Sequence, residues 1–232
     1  MQYDKITQGK FISRPNRFIA KVLIEGVEHT VHVKNTGRCR ELLTCGATVF
    51  LEKASNPERK TQYDLVAVMK TYADEREPLL INMDSGAPNV AAYEWIQSVA
   101  KKEGYKVRKE VTYGDSRLDI CVEQIEGTKT FIEVKGVTLE QDGIAMFPDA
   151  PTERGVKHIK ELVRCVQEGH KAYILFVIQM KGINKFRPNE EMHPEFAETL
   201  RWAQKAGVGI LAMDCLVTNN AMIIDKPVTV EL

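Results

Sequence analysis

The chain has 232 residues, 44% of them apolar, a length that suits one large or two small domains with real cores. Its 32 Lys and Arg balance 32 Asp and Glu, which excludes a global positive field and leaves any nucleic-acid binding to local patches. Five scattered cysteines, with no CxxC pair and no histidine cluster, point to neither a disulfide framework nor a zinc site, and most read as small core residues in a reducing compartment.

The opening residues, Met1-Gln2-Tyr3-Asp4-Lys5, lack the basic-then-apolar pattern of a signal peptide. From there to about Met83 the pattern is one of short strands, at 10–13, 17–24, 28–33, 47–53, 64–71 and 79–82. A short helical piece is predicted at 38–43, between the third strand and the fourth. Five or six strands with a small helix after the third fit a compact OB-like β-barrel. Within it, His32 to Arg40 gathers Lys34, Arg38 and Arg40 around a Gly-containing turn that opens the helical piece, a geometry suited to phosphate. The alternative is a surface turn capped by Asn35 or Thr36. Upstream, Arg14-Pro15-Asn16-Arg17 reads as an exposed basic loop that extends the same patch.

Met83-Asp84-Ser85-Gly86-Ala87-Pro88 reads as a linker, polar and with Gly and Pro, so the barrel is assigned to residues 1–83 and a second domain to 84–232. Pro88 suits the first turn of a helix that runs to about Lys102, with Val90, Tyr93, Ile96, Val99 and Ala100 on its apolar side. Strands follow at 105–113, 117–123 and 130–137, then a helix at 153–168, a strongly apolar strand at 172–179, a helix at 195–205 and a strand at 208–213. The apolar strand is too short to span a bilayer, so a cytoplasmic protein without a membrane partner is expected. An apolar strand after a helix usually lies in a sheet covered on both faces, which makes the second domain a mixed sheet flanked by helices.

Two of those strands carry chemistry. Glu133 and Lys135 stand two apart and share a face, while Ile132 and Val134 point into the core. Glu126-Gly127 marks a turn between them and the strand of Asp119. A two- or four-residue loop would pair Asp119 with Val134 and turn it away from Glu133; an odd loop or a bulge pairs it with Glu133 or Lys135, and the odd case is predicted. Asp119, Glu133 and the Val134 carbonyl then offer hard oxygen ligands of the kind that Mg2+ or Mn2+ prefers. Lys135 could orient an attacking water and stabilise an anionic transition state. The order α-β-β-β-α-β, with an acid on the second strand and ExK on the third, resembles that of metal-dependent PD-(D/E)xK nucleases.

Thr152 is a plausible N-cap of the helix at 153–168, which buries Val156, Ile159, Leu162, Val163 and Val166. Arg154, Lys157, His158 and Glu161 recur at helical spacing on its polar side, a basic edge near an N-terminus that favours phosphate. The plain alternative is a solvated face.

The segments Asn35-Thr36-Gly37-Arg38, Ser116-Arg117-Leu118-Asp119, Glu133 to Leu139, Phe147 to His158 and 172–179 together resemble the sugar fermentation stimulation protein A family over essentially the whole chain. The resemblance implies an OB-like β-barrel followed by a restriction-endonuclease-like α/β domain, DNA binding with little sequence preference, and a regulatory link to sugar metabolism. Asp119, Glu133 and Lys135 map onto the nuclease-like motif. The helix acid usual in such nucleases falls to Glu94 first, as a third metal ligand, and to Glu110 second. Arg117 and Thr138, inside the matching segments, join Arg14, Arg17, Lys34, Asn35, Thr36, Arg38, Arg40, Arg154, Lys157 and His158 as expected DNA contacts.

Two functions of different class remain open: a DNA-binding protein with a Mg2+- or Mn2+-dependent phosphodiesterase site, and a DNA-binding regulatory factor that does not cut. Retention of all three motif residues, Asp119, Glu133 and Lys135, favours chemistry, because a pure binder gains little from acids that repel phosphates. An OB-type carbohydrate module would want aromatic platforms, which are scarce at 7% aromatic content. No obligatory protein partner is evident.

Overall fold

The computed structural model describes residues 1–35 and 37–232. Six strands come first: β1 (Ile6–Asn16), β2 (Ile19–Ile24), β3 (Val27–Val33), β4 (Thr48–Lys53), β5 (Tyr63–Lys70) and β6 (Leu79–Asn82). β1 pairs with β2 and with β4, β4 with β5, and the parallel pairing His32↔Asp64 joins β3 to β5, so the first five strands close into the OB-like barrel. β1 can cross close over β2 because Gly9 has no side chain: a Cβ there would stand 2.8 Å from the Leu23 carbonyl oxygen. The interior is filled by inward residues such as Phe11, Val22, Val31, Val49 and Leu65, with Leu42 and Leu43 packed into the same core.

Two expectations fail here for local reasons. Residues 38–43 form turns and not a helix: Cys39 has φ +44°, and both Leu42 N and Leu43 N donate to Cys39 O, which makes one turn with no propagation. Arg14, Pro15 and Asn16 belong to β1 and not to a loop; β1 reaches them through register shifts after Phe11 and Ser13, which bend the strand.

The second half contains α1 (Ala87–Lys102), β7 (Lys106–Tyr113), β8 (Ser116–Glu123), β9 (Lys129–Val137), β10 (Leu139–Gln141), β11 (Ile144–Phe147), α2 (Glu153–Gln167), β12 (Lys171–Ile178), β13 (Lys185–Pro188), α3 (Pro194–Lys205), β14 (Gly209–Val217), β15 (Met222–Pro227) and β16 (Thr229–Val230). Its main sheet has the order β15-β14-β12-β9-β8-β7, with β9, β12 and β14 parallel. α1 covers one face, through Ala91, Ala92, Ile96 and Ala100 against Ile120, Ile132 and Leu175. Val90 and Val99, expected on that side, are exposed; small alanines let the helix lie close to the sheet instead. α2 and α3 cover the other face, with Val156, Ile159, Leu162, Phe196 and Leu200 against Phe131, Ile174 and Phe176. β12 is buried from both sides, as its continuous apolar run predicts. A smaller sheet, β10-β11-β13-β16, lies beside it.

The stretch expected as a linker is a packed junction. Asn82, Met83 and Asp84 are buried. Gln179 Nε2 donates to Asn82 O, Asn82 Oδ1 and Asp84 O at 3.0, 3.0 and 3.1 Å, and Ser85 donates from N and Oγ to Lys34 O. The barrel interior and the α2 side of the sheet form one continuous hydrophobic core.

Candidate metal centre and nucleic-acid surface

β8 and β9 pair from Glu123↔Lys129 to Ile120↔Ile132, which leaves residues 124 to 128, an odd count of five, as the loop. The next pair in that register is Asp119 opposite Glu133. The regular ladder stops there. Asp119 Oδ2 accepts from Val134 N at 2.8 Å, and its Oδ1 from Asn89 Nδ2, in the first turn of α1, at 2.9 Å. The N–H and C=O of one strand residue point to the same side, so the Val134 carbonyl also faces the opening β8 leaves.

Glu133 is 2% exposed. Its Oε1 accepts from Lys135 Nζ at 2.6 Å and from His158 Nδ1, which α2 brings against it. Arg154 Nε lies 3.3 Å from His158 Nε2, so the hydrogen-bond network assigns the ring proton to Nδ1. Burial alone would raise the Glu133 carboxyl, but the hydrogen bond from His158 and the charge and hydrogen bond of Lys135 outweigh it and hold the group below the ordinary glutamate range. Asp119 moves the other way: burial and the Glu133 charge push it up, only partly offset by the Val134 N–H, Lys135 and Asn89. The other oxygen of Glu133, Oε2, is buried and has no hydrogen-bond partner among the described residues. A buried carboxylate oxygen that lacks a donor, beside a second carboxylate and an open carbonyl, fits a hard divalent cation.

Among the described residues no three His, Cys, Asp or Glu side chains converge on a common metal position. Glu94 does not join the pair. It lies five residues after Asn89, which rotates it by roughly 140° and moves it about 7.5 Å along the helix. Its exposed carboxylate accepts from the Met1 amino group at 2.6 Å. Glu110 is on β7 and not on a helix, exposed, and paired with Arg117 at 3.2 Å.

The basic residues divide. Arg17, Arg38, Arg40, Arg117, Arg154 and Lys157 are exposed, with Lys157 Nζ also donating to Asp115 O at 3.2 Å. Arg14 is committed to its own neighbourhood: NH1 donates to Gly37 O and Arg38 O, and NH2 to Arg17 O and Asn35 O, at 2.5 to 2.9 Å. Lys34 pairs with Asp84 at 3.0 Å and Glu52 at 3.5 Å. His158, expected as a DNA contact, is 6% exposed and meets Glu133 instead. Its signal lay in the spacing Gly155, His158, Leu162, Cys165, all on the buried arc of α2. Asn35 Oδ1 accepts from Gly37 N at 2.7 Å, and Thr152 caps α2 by accepting from Gly155 N at 3.1 Å. Thr36 lies outside the described residues. Thr138 is buried and lines a cleft of about 480 Å³ between the barrel and the second domain, opposite Arg17, Asn35 and Gly37.

A model described as the SfsA N-terminal OB domain matches residues 12–75, and one described as the sugar fermentation stimulation protein RE domain matches residues 86–221. The chain belongs to the sugar fermentation stimulation protein family. A family homologue from Clostridium beijerinckii is 52% identical over 233 residues, covering 100% of both chains. Another, from Desulfitobacterium hafniense, is 51% identical over 100% of this chain and 99% of its own. Among solved structures, SfsA of Pyrococcus furiosus, in complex with Ca2+, superposes with a TM-score of 0.86 at 29% identity and covers 100% of this chain and 98% of its own. The fold common to these relatives is an OB-like barrel joined to a restriction-endonuclease-like α/β domain. No helix among the described residues is long and apolar enough to cross a membrane.

Proposed function

We propose that this protein binds DNA with little sequence preference and that its second domain, which we take to begin at residue 84, is a phosphodiesterase dependent on Mg2+ or Mn2+. The observation that carries the reading is the buried, donor-less Oε2 of Glu133 directly across from Asp119. That the Pyrococcus furiosus relative was solved with Ca2+, another hard cation, supports use of a divalent cation. Held by Asp119, Glu133 and the Val134 carbonyl, the cation would supply Lewis-acid charge and a lowered water pKa. The chain's own groups then do the rest. Lys135, 2.6 Å from Glu133, can swing its ammonium to orient the attacking water and stabilise charge on the phosphate. His158 fixes the orientation of Glu133 by holding Oε1, which leaves Oε2 available to the cation. Exposed Arg154 and Lys157, near the start of α2, hold the phosphate backbone. The five cysteines, all free thiols, support a cytoplasmic setting.

A second reading, a DNA-binding factor tied to sugar metabolism that does not cut, is favoured by one observation: Glu133 Oε1 already takes both Lys135 and His158, which neutralises the acid without a metal. Supercoiled plasmid incubated with Mg2+ or Mn2+ separates the two. Nicking by the native chain and none by Lys135→Ala supports the enzyme; DNA binding with no nicking by either supports the factor.

A further inference from the structure

The cleft between the halves asks for a ligand of its own. At about 480 Å³ it has room for a nucleotide-sized group and none for a duplex. Its lining starts at Gly136, the residue after Lys135, where a Cβ would stand 2.5 Å from Gln179 Oε1 and 2.6 Å from Pro88 Cγ. The cleft thus opens one residue along β9 from Lys135. Next in the chain to Arg17, a cleft residue, Phe18 is 45% exposed, and the Arg17 guanidinium lies 4.9 Å from its ring centre. An exposed ring and a planar cation together form a platform on which a base can stack.

Inside the cleft lies a carboxylate that phosphate chemistry does not explain. Asp149 lines the wall, and its Oδ2 packs so close to Gly37 that a Cβ there would come within 2.5 Å. Among the described residues it meets backbone N–H groups and the charge of Arg38, while burial pushes its carboxyl above the ordinary range. A carboxylate repels phosphate at close range. It attracts the N–H donors on the edge of a base.

We propose that the cleft seats one unpaired nucleotide, with its base edge read by Asp149, while the neighbouring base stacks on Phe18. This rests on the DNA reading above and names its substrate: DNA carrying an unpaired stretch. Thymine is then the poorest occupant, since its single N–H is flanked by two carbonyl oxygens that face the carboxylate. The test is fluorescence anisotropy of the full chain with a labelled blunt hairpin and with the same hairpin carrying a short single-stranded tail of dA, dC, dG or dT. The tailed DNA is expected to bind about tenfold more tightly, and dT tails least well. Phe18→Ala should remove most of the tail advantage. Asp149→Asn, which offers both a donor and an acceptor, should level dT with the rest. Equal affinity for blunt and tailed DNA, or a tail advantage untouched by both variants, would overturn the proposal and leave DNA binding intact. Failure of every probe to bind would sink the DNA reading and this proposal with it.

Discussion

Lys135 and His158 meet on a single oxygen of Glu133, one from the next outward position of the same strand and the other from α2. The pairing holds the carboxylate ionised although it is buried, and among the described residues it leaves Oε2 without a hydrogen-bond partner. Partners that orient a metal ligand in this way are worth about 10- to 100-fold in metal affinity. His158→Ala should therefore weaken Mn2+ binding by that order in isothermal titration calorimetry. Without the imidazole hydrogen bond the Glu133 carboxyl rises, so the pH midpoint of Mn2+ binding should shift upward. An unchanged Kd and midpoint would show that His158 is mere packing.

Asp119 carries a cost in stability. Its carboxyl is pushed above the ordinary range by burial and by Glu133, so the penalty is absent below the unfolded pKa and full above the folded one. Asp119→Asn keeps an acceptor for Val134 N–H and removes the charge. Its melting temperature should rise modestly at neutral pH and converge with the native chain in acid, while stabilisation by Ca2+ is lost. A variant that melts lower at neutral pH would contradict this.

Lys70 of β5 and Glu140 of β10 tie the barrel to the small sheet at 2.5 Å, and Glu140 also accepts from Tyr72 and Gly143 N. Burial would raise Glu140, but Lys70, Gly143 and Tyr72 more than reverse it and hold the group low. Its contribution is thus present above the unfolded pKa and lost as pH falls through the folded one. Glu140→Gln leaves a half-buried ammonium without a counter-charge, which should cost roughly 3 kcal/mol at neutral pH and much less in acid. Urea titrations across pH check it; a difference that does not vary with pH would refute the ion-pair account.

Arg14 and Arg38 should behave oppositely. Arg14 clamps four backbone carbonyls, so Arg14→Ala should lower the melting temperature. Arg38 is exposed, so Arg38→Ala should leave the melting temperature alone and reduce the salt slope of DNA binding by about 1. The reverse pattern would exchange their roles.

What was legible in the sequence follows from how local the signals were. Thr152 capping, the doubly buried β12 and the main strands rest on period and neighbouring residues, and they were read directly. Glu133 and Lys135 needed only two-residue alternation, and Asp119 only an odd loop. Glu94 could not be judged that way, because its direction depends on how α1 is rotated against the sheet, and the small Ala91 and Ala92 set that rotation rather than the larger Val90 and Val99. His158 looked polar and therefore outward; its burial depends on a tertiary partner, Glu133, that lies 25 positions away. The β10–β11 hairpin carries a local signal of its own: Asp142-Gly143, both at positive φ, connect Gln141 to Ile144 as a two-residue turn.

The five-residue connection between β8 and β9 ties a surface detail to the chemistry. Surface loops commonly gain and lose residues without harm. Here a single deletion would swap which side of the sheet Asp119 occupies, whereas removal of two would preserve it. Descendants of this chain can vary that loop in steps of two, and an indel of one, far from any charged group of the site, would separate its acids as surely as mutating one of them.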